Sequence, residues 1–138
     1  MAKTLKDYKI TLKYLATTFP YSRLKPHRGE DRGAPKGTPV KVSKRVLGTV
    51  GSTGYAFGAH THIAKWWSKG KLPYLINRRY YNPKGWSTIK GRVVYAGWLG
   101  TAGKCVIVKQ LRGDGKRVFF MFAHLDTITC KKNDWTHK

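Results

Sequence analysis

His27-Arg28-Gly29-Glu30-Asp31 sets an imidazole four residues before a carboxylate, in a chain with only six Asp and Glu in all. Fully extended, four residues span roughly 13 Å, so both side chains can share one ion only where the chain bends, and Gly29 permits a bend. His60-Thr61-His62 repeats at every second residue. On a strand that spacing puts both rings on one face about 6–7 Å apart, so one can ligate while the other reaches a bound water. His124 closes the apolar run that starts at Val118. Taken singly, each histidine also reads as a solvated loop residue or a core imidazole satisfied by backbone groups. Taken together they supply two His plus one carboxylate, a known catalytic zinc set whose fourth position stays open for water, with histidines to spare for general base work. There is no H-E-x-x-H, which excludes a thermolysin-like helix, and the glycine-rich run Gly48 to Gly58 lacks the Lys-Ser/Thr ending of a phosphate-cradling loop.

The elements that must position these residues are mostly strands. Tyr8, Ile10, Leu12 and Tyr14 alternate with polar residues as a half-buried strand would, although Leu5, Tyr8, Leu12 and Leu15 also fit a helix face. Residues 26–39 carry Pro26, Gly29, Gly33, Pro35, Gly37 and Pro39 and read as loop and turn. Val40 to Val42, Arg45 to Leu47 and Thr49-Val50 read as a hairpin or meander. Gly91 to Gly97, Lys104 to Leu111 and Arg117 to Leu125 are three further strand-like runs, the last two joined by a Gly113-Asp114-Gly115 turn. Residues 65–90, with Trp66, Trp67, Tyr74, Tyr80, Tyr81 and Trp86 among Lys65, Lys69, Lys71, Arg78, Arg79 and Lys84, read as an insertion. That insertion is either a surface loop whose aromatics plug one end of the sheet, or a substrate wall in which aromatic faces pack on sugar or peptide groups while cations meet anionic polymers.

Size and charge bound the partners. The 138 residues, 41% hydrophobic, suffice for one core and one domain spanning 1–138. The formal charge of +22 points to a polyanion: nucleic acid, or an anionic envelope such as a bacterial wall or outer-membrane surface. No stretch reaches the roughly 18 apolar residues of a membrane span, and Lys6, Lys9 and Lys13 interrupt every candidate signal-peptide core. Cys105 and Cys130 are too few for a disulfide framework and are not spaced as a metal pair.

Six segments together resemble the M23 zinc metallopeptidases, the lysostaphin and LytM-type peptidoglycan endopeptidases: His27 to Asp31, Gly37 to Val40, Gly48 to Gly54, Gly58 to His62, Gly91 to Gly97 and Ala123-His124-Leu125. The family pattern of H-x-x-x-D, Y/F-A-H-L and G-x-H-x-H is complete here. The resemblance covers roughly residues 19–62 and 91–129. It implies a mostly β domain with an antiparallel sheet core, one Zn²⁺ held by His27, Asp31 and His62, and His60 and His124 as the catalytic, non-ligand histidines. Tyr55, Trp66, Trp67, Arg78, Arg79 and Tyr80 are the expected substrate contacts. The implied activity is hydrolysis of stem or cross-bridge peptide bonds in peptidoglycan by a monomer. By analogy the chain is a phage endolysin or virion-associated lysin, made in the host cytoplasm and reaching the wall through a holin or a tail. The alternative is a non-enzymatic basic nucleic-acid-binding or virion structural protein on a degenerate M23 scaffold. The chain departs from the family in order, because His60 and His62 precede His124, so a permuted connectivity is expected, and in Thr61, where the family prefers a bulky apolar residue.

Overall fold

Strand-forming residues and tight turns dominate the chain, and in a computed structural model they assemble into one antiparallel sheet. The structure describes residues 3–18, 20–56, 58–68 and 78–138. Nine strands follow in chain order: β1 (Ile10–Leu12), β2 (Glu30–Gly33), β3 (Pro39–Val42), β4 (Arg45–Val50), β5 (His60–Ser68), β6 (Arg78–Tyr81), β7 (Gly91–Trp98), β8 (Lys104–Gln110) and β9 (Val118–Ile128). The central path runs β1-β2-β5-β9-β4-β3, with β6 on β5 and the β7-β8 pair on β9. Among the described residues three single-turn 3₁₀ segments interrupt it, at Leu5–Asp7, Trp86–Thr88 and Gly100–Ala102. Among the described residues no helix is long and apolar enough to cross a membrane.

Alternation along the strands builds two apolar layers. Ile63 on β5, Val106 and Val108 on β8, and Phe120 and Phe122 on β9 point into the larger core with Val40, Val42, Leu47 and Leu125. Their neighbours Ala64, Trp66, Ile107 and Phe119 point the other way into a smaller cluster. The two cysteines are free thiols, and burial pushes each up to about 11.

The structure resolves the ambiguous amino-terminal segment as strand β1 preceded by a 3₁₀ turn. It overturns one expectation. Residues 26–39 are not all loop: Glu30–Gly33 form β2, because prolines and glycines exclude a helix from this segment but leave four residues free to pair with β5. Within the expected 65–90 insertion, residues 65–68 and 78–81 are part of the sheet. Lys65 to Ser68 continue β5, the central strand that carries His60 and His62, and β6 pairs with it through Lys65↔Tyr81, Trp66↔Tyr80, Trp67↔Arg79 and Ser68↔Arg78. Lys69, Lys71 and Tyr74 of the expected insertion lie outside the described residues.

Candidate metal centre

Three adjacent strands place the site in one row. Asp31 of β2 is directly opposite His62 of β5, which is opposite Ala123 of β9. His60 lies two residues back on the same face, opposite Gly33. On β2 the alternation separates the two neighbouring acids: Asp31 faces the site, while Glu30 turns to the other face and pairs with Arg32 at 2.7 Å.

His124 would point away from this row in a regular strand, since Ala123 already occupies the register opposite His62. A bulge re-aims it. Lys104 and Val106 of β8 are two residues apart, yet their partners Leu125 and Phe122 are three apart, so β9 carries an extra residue at this point. His124 adopts φ 61°, a left-handed conformation uncommon for a residue with a Cβ. The bulge sits where β9 changes partner, from β5 up to Ala123 to β4 from Leu125 onward. The result brings the His124 ring to 4.9 Å from that of His60 and 6.5 Å from that of His62, measured between centroids.

His27 reaches the row from the loop before β2 and is fully buried. Its Nδ1 lies 3.0 Å from the Lys13 carbonyl, which places a proton on Nδ1 and turns Nε2 inward. Nε2 is 3.0 Å from His62 Nδ1 and 3.3 Å from Asp31 Oδ1, and the same Oδ1 is 2.9 Å from His62 Nδ1. Gly29 makes this possible by being small: a Cβ there would lie 2.2 Å from the Ile63 carbonyl oxygen and 2.9 Å from the His62 ring. The requirement is close approach to β5, not the bend the sequence invited one to expect.

Three inward-facing ligand atoms at these separations could hold a metal ion. Tetrahedral coordination with bonds of about 2.0–2.1 Å puts donors roughly 3.3 Å apart, and an imidazole–imidazole–carboxylate set suits a borderline divalent cation. Burial pushes the Asp31 carboxyl up, but hydrogen bonds and charge from His27 and His62 outweigh it and hold the group well below the usual carboxylate range. It is therefore anionic, as a ligand must be.

The other two histidines are oriented alike. His124 Nδ1 lies 2.7 Å from the Thr53 carbonyl and His60 Nδ1 lies 3.1 Å from the Gly58 carbonyl. Each ring therefore carries its proton on Nδ1 and presents a bare Nε2, that of His60 at 3.9 Å from Asp31 Oδ2. Burial, then the nearby charges of His60 and His62, lower the His124 pKa against the raising effects of the Thr53 carbonyl and Asp31. The Thr53 carbonyl is itself placed by glycines. Gly54 and Gly103 both have positive φ, and a Cβ on Gly54 would meet the Gly103 nitrogen at 2.5 Å.

The expected substrate contacts separate. Tyr55 is exposed and lines both arms of the cleft over the site, and Tyr80 lines one of them. Trp66 is fully buried, stacked on Phe119 at 5.9 Å, so the expectation that it touches substrate fails. Trp67 and Arg79 pair on the opposite face of the β5-β6 ladder from Trp66 and Tyr80, away from the histidines. Arg78 stands over the Trp66 and Tyr80 rings. One residue was not singled out from sequence: Tyr21, whose ring packs 4.5 Å from that of His27 and whose phenol is raised by burial and by the Asp31 charge. Only its position before the His27 motif could have drawn attention to it.

Comparison of the chain with protein-family models, with curated proteins and with solved structures finds no match.

Proposed function

We propose that this protein is a zinc-dependent endopeptidase of the M23 type that hydrolyses peptide bonds of bacterial peptidoglycan. The observation that carries the reading is the convergence of His27 Nε2, Asp31 Oδ1 and His62 Nδ1 on one point with two further imidazoles at its edge. A structural cluster has no need of the second pair. When bound, zinc supplies Lewis acidity, lowering the pKa of water toward about 7 and polarising a peptide carbonyl.

His60 and His124 then do the proton work. A neutral imidazole with its Nδ1–H held by a carbonyl has one basic nitrogen, Nε2, and both rings turn that atom to the cleft. One takes a proton from the attacking water as the C–O bond forms, and the imidazolium then hands it to the departing amine as the C–N bond breaks. The lowered pKa of His124 keeps it unprotonated at neutral pH, the state a base requires. The phenol of Tyr21, protonated at neutral pH, faces the same space as a hydrogen-bond donor for a developing oxyanion. The charge of +22 concentrates the protein on an anionic wall, and the motif set supports the lysin assignment over other peptide substrates.

The same charge favours the second reading, a basic nucleic-acid binder. One experiment separates the two: the turbidity of purified peptidoglycan, followed with and without a chelator, beside the metal content of the same batch. One zinc per chain and lysis abolished by chelation are expected. Absence of zinc, together with chelator-indifferent and salt-dependent nucleic-acid binding, would replace the peptidase reading with the binder.

A further inference from the structure

The cleft over the site has two arms that share Pro20, Tyr21, Tyr55 and His62 but differ in charge. The arm of about 370 Å³ on the His60 and His124 side is lined by neutral residues such as Thr11, Leu12 and Ala59 besides the site itself, with no Lys or Arg. The arm of about 440 Å³ on the His27 side has Met121 at its floor over the buried Ala64, with Tyr80, Arg28 and Lys25 on its wall. Arg28 directly follows the ligand-type residue His27, so whatever it grips lies within a residue or so of the reacting bond.

That wall is built, not merely basic. The Arg28 guanidinium stands 5.3 Å from the Tyr80 ring centroid and that of Arg78 stands 5.5 Å from it. The Tyr80 backbone is in turn fixed by the Tyr14 hydroxyl, which donates to its carbonyl at 3.0 Å. A guanidinium held over an aromatic ring can still turn its fork of N–H donors to a bidentate acceptor. No acid of this chain can fill that role. All six are engaged elsewhere: Asp7 with the Thr4 N–H, Glu30 with Arg32, Asp31 in the site, Asp114 with Arg112, Asp126 with Lys36 and Asp134 with Arg45.

We infer that this arm is a carboxylate-binding subsite in which Arg28, beside Lys25, grips a free carboxylate of the peptide chain next to the bond that is cut, while Met121 receives its aliphatic stem. The inference rests on the hydrolase reading and narrows its substrate to acidic peptides; a carboxylate on a side chain and one at a chain terminus share this chemistry.

The test uses purified peptidoglycan and the same material with its free carboxylates converted to primary amides by carbodiimide coupling, with cleavage followed as new amino groups. The wild-type protein cleaves the free acid form about tenfold or more faster, through kcat/KM, as the loss of a charge-assisted bidentate contact predicts. R28Q brings that ratio close to one with its metal content retained, and R28K gives a value between. A wild-type ratio near one, or an R28Q ratio equal to wild type, overturns the subsite while leaving the peptidase reading standing. Calorimetric titration with N-acetyl-alanyl-glutamate, its side-chain amide, its terminal amide and its diamide runs in parallel and distinguishes the two carboxylate sources. Selectivity for an acid form that R28Q abolishes supports the subsite even where neither peptidoglycan is cut, an outcome that would discard the hydrolase reading alone. Binding of the diamide as tight as that of the free acid overturns the subsite independently of turnover.

Discussion

His62 and Trp66 stand four residues apart on one strand and one face, yet the first opens into a cleft and the second is sealed. Their rows explain the difference. His62 lies between Asp31 on β2 and Ala123 on β9, a short polar residue and a small one, which leaves space above the imidazole. Trp66 lies between Tyr80 on β6 and Phe119 on β9, and the three rings fill the space themselves. A period of two assigns side chains to a face. Depth on that face belongs to the partners across the sheet, which are distant in sequence.

The largest effects lie at the open end of β5. His62→Ala and Asp31→Ala each remove one of the converging donors, so both metal content and peptidoglycan lysis are expected to fall to background. His60→Ala and His124→Ala leave the three donors intact. Zinc is then retained while lysis drops by about 10²–10⁴-fold, the usual worth of a positioned acid or base. Metal analysis beside lysis rates on all four variants checks the division. Normal lysis by His124→Ala, or zinc lost from it, would erase the distinction between ligands and proton carriers.

The sealed end responds in stability instead. Truncating Trp66 to Ala empties a packed site between Phe119 and Tyr80 and should cost about 3–5 kcal/mol in urea unfolding. Trp67→Ala, one residue on but half-buried on the other face, should cost under about 1 kcal/mol. Equal costs would mean that the two faces of β5 are not packed as differently as the alternation requires.

The same contrast explains what could be read in advance. The hairpins β3-β4 and β8-β9 were legible because short β-branched runs and their turn residues lie side by side in sequence. A site drawing on His27, Asp31 and the His60-Thr61-His62 repeat was legible through spacing, and the resemblance alone named His62 as the ligand of that pair. β2 was hidden among breakers because its only support comes from β1 and β5. The continuation of β5 through Trp66 was hidden because aromatic and basic residues describe an exposed wall and a buried ladder equally well until the facing strands are known. The bulge at His124 left no local signal either. Nothing in Phe122-Ala123-His124-Leu125 announces a positive φ, which arises from β9 changing partners there.

The smallest expected effect concerns that residue. Burial holds the folded-state pKa of His124 below its ordinary 6.5, with the charges of His60 and His62 adding to the shift. As pH falls through 6.5 the unfolded chain takes up a proton that the folded chain still refuses, so His124 makes the fold progressively less stable until its own lowered pKa is passed. This is opposite in sign to a histidine that gains a carboxylate partner on folding. Asn tolerates a left-handed backbone and cannot be protonated here, so His124→Asn keeps the bulge and removes the titration. Urea unfolding of chelator-treated protein between pH 7.5 and 5 should therefore show a shallower loss of stability in the variant than in the wild type. Parallel curves would mean that the imidazole is solvated and free to protonate, and the cleft at the end of β5 would then be more open than the sealed end is closed.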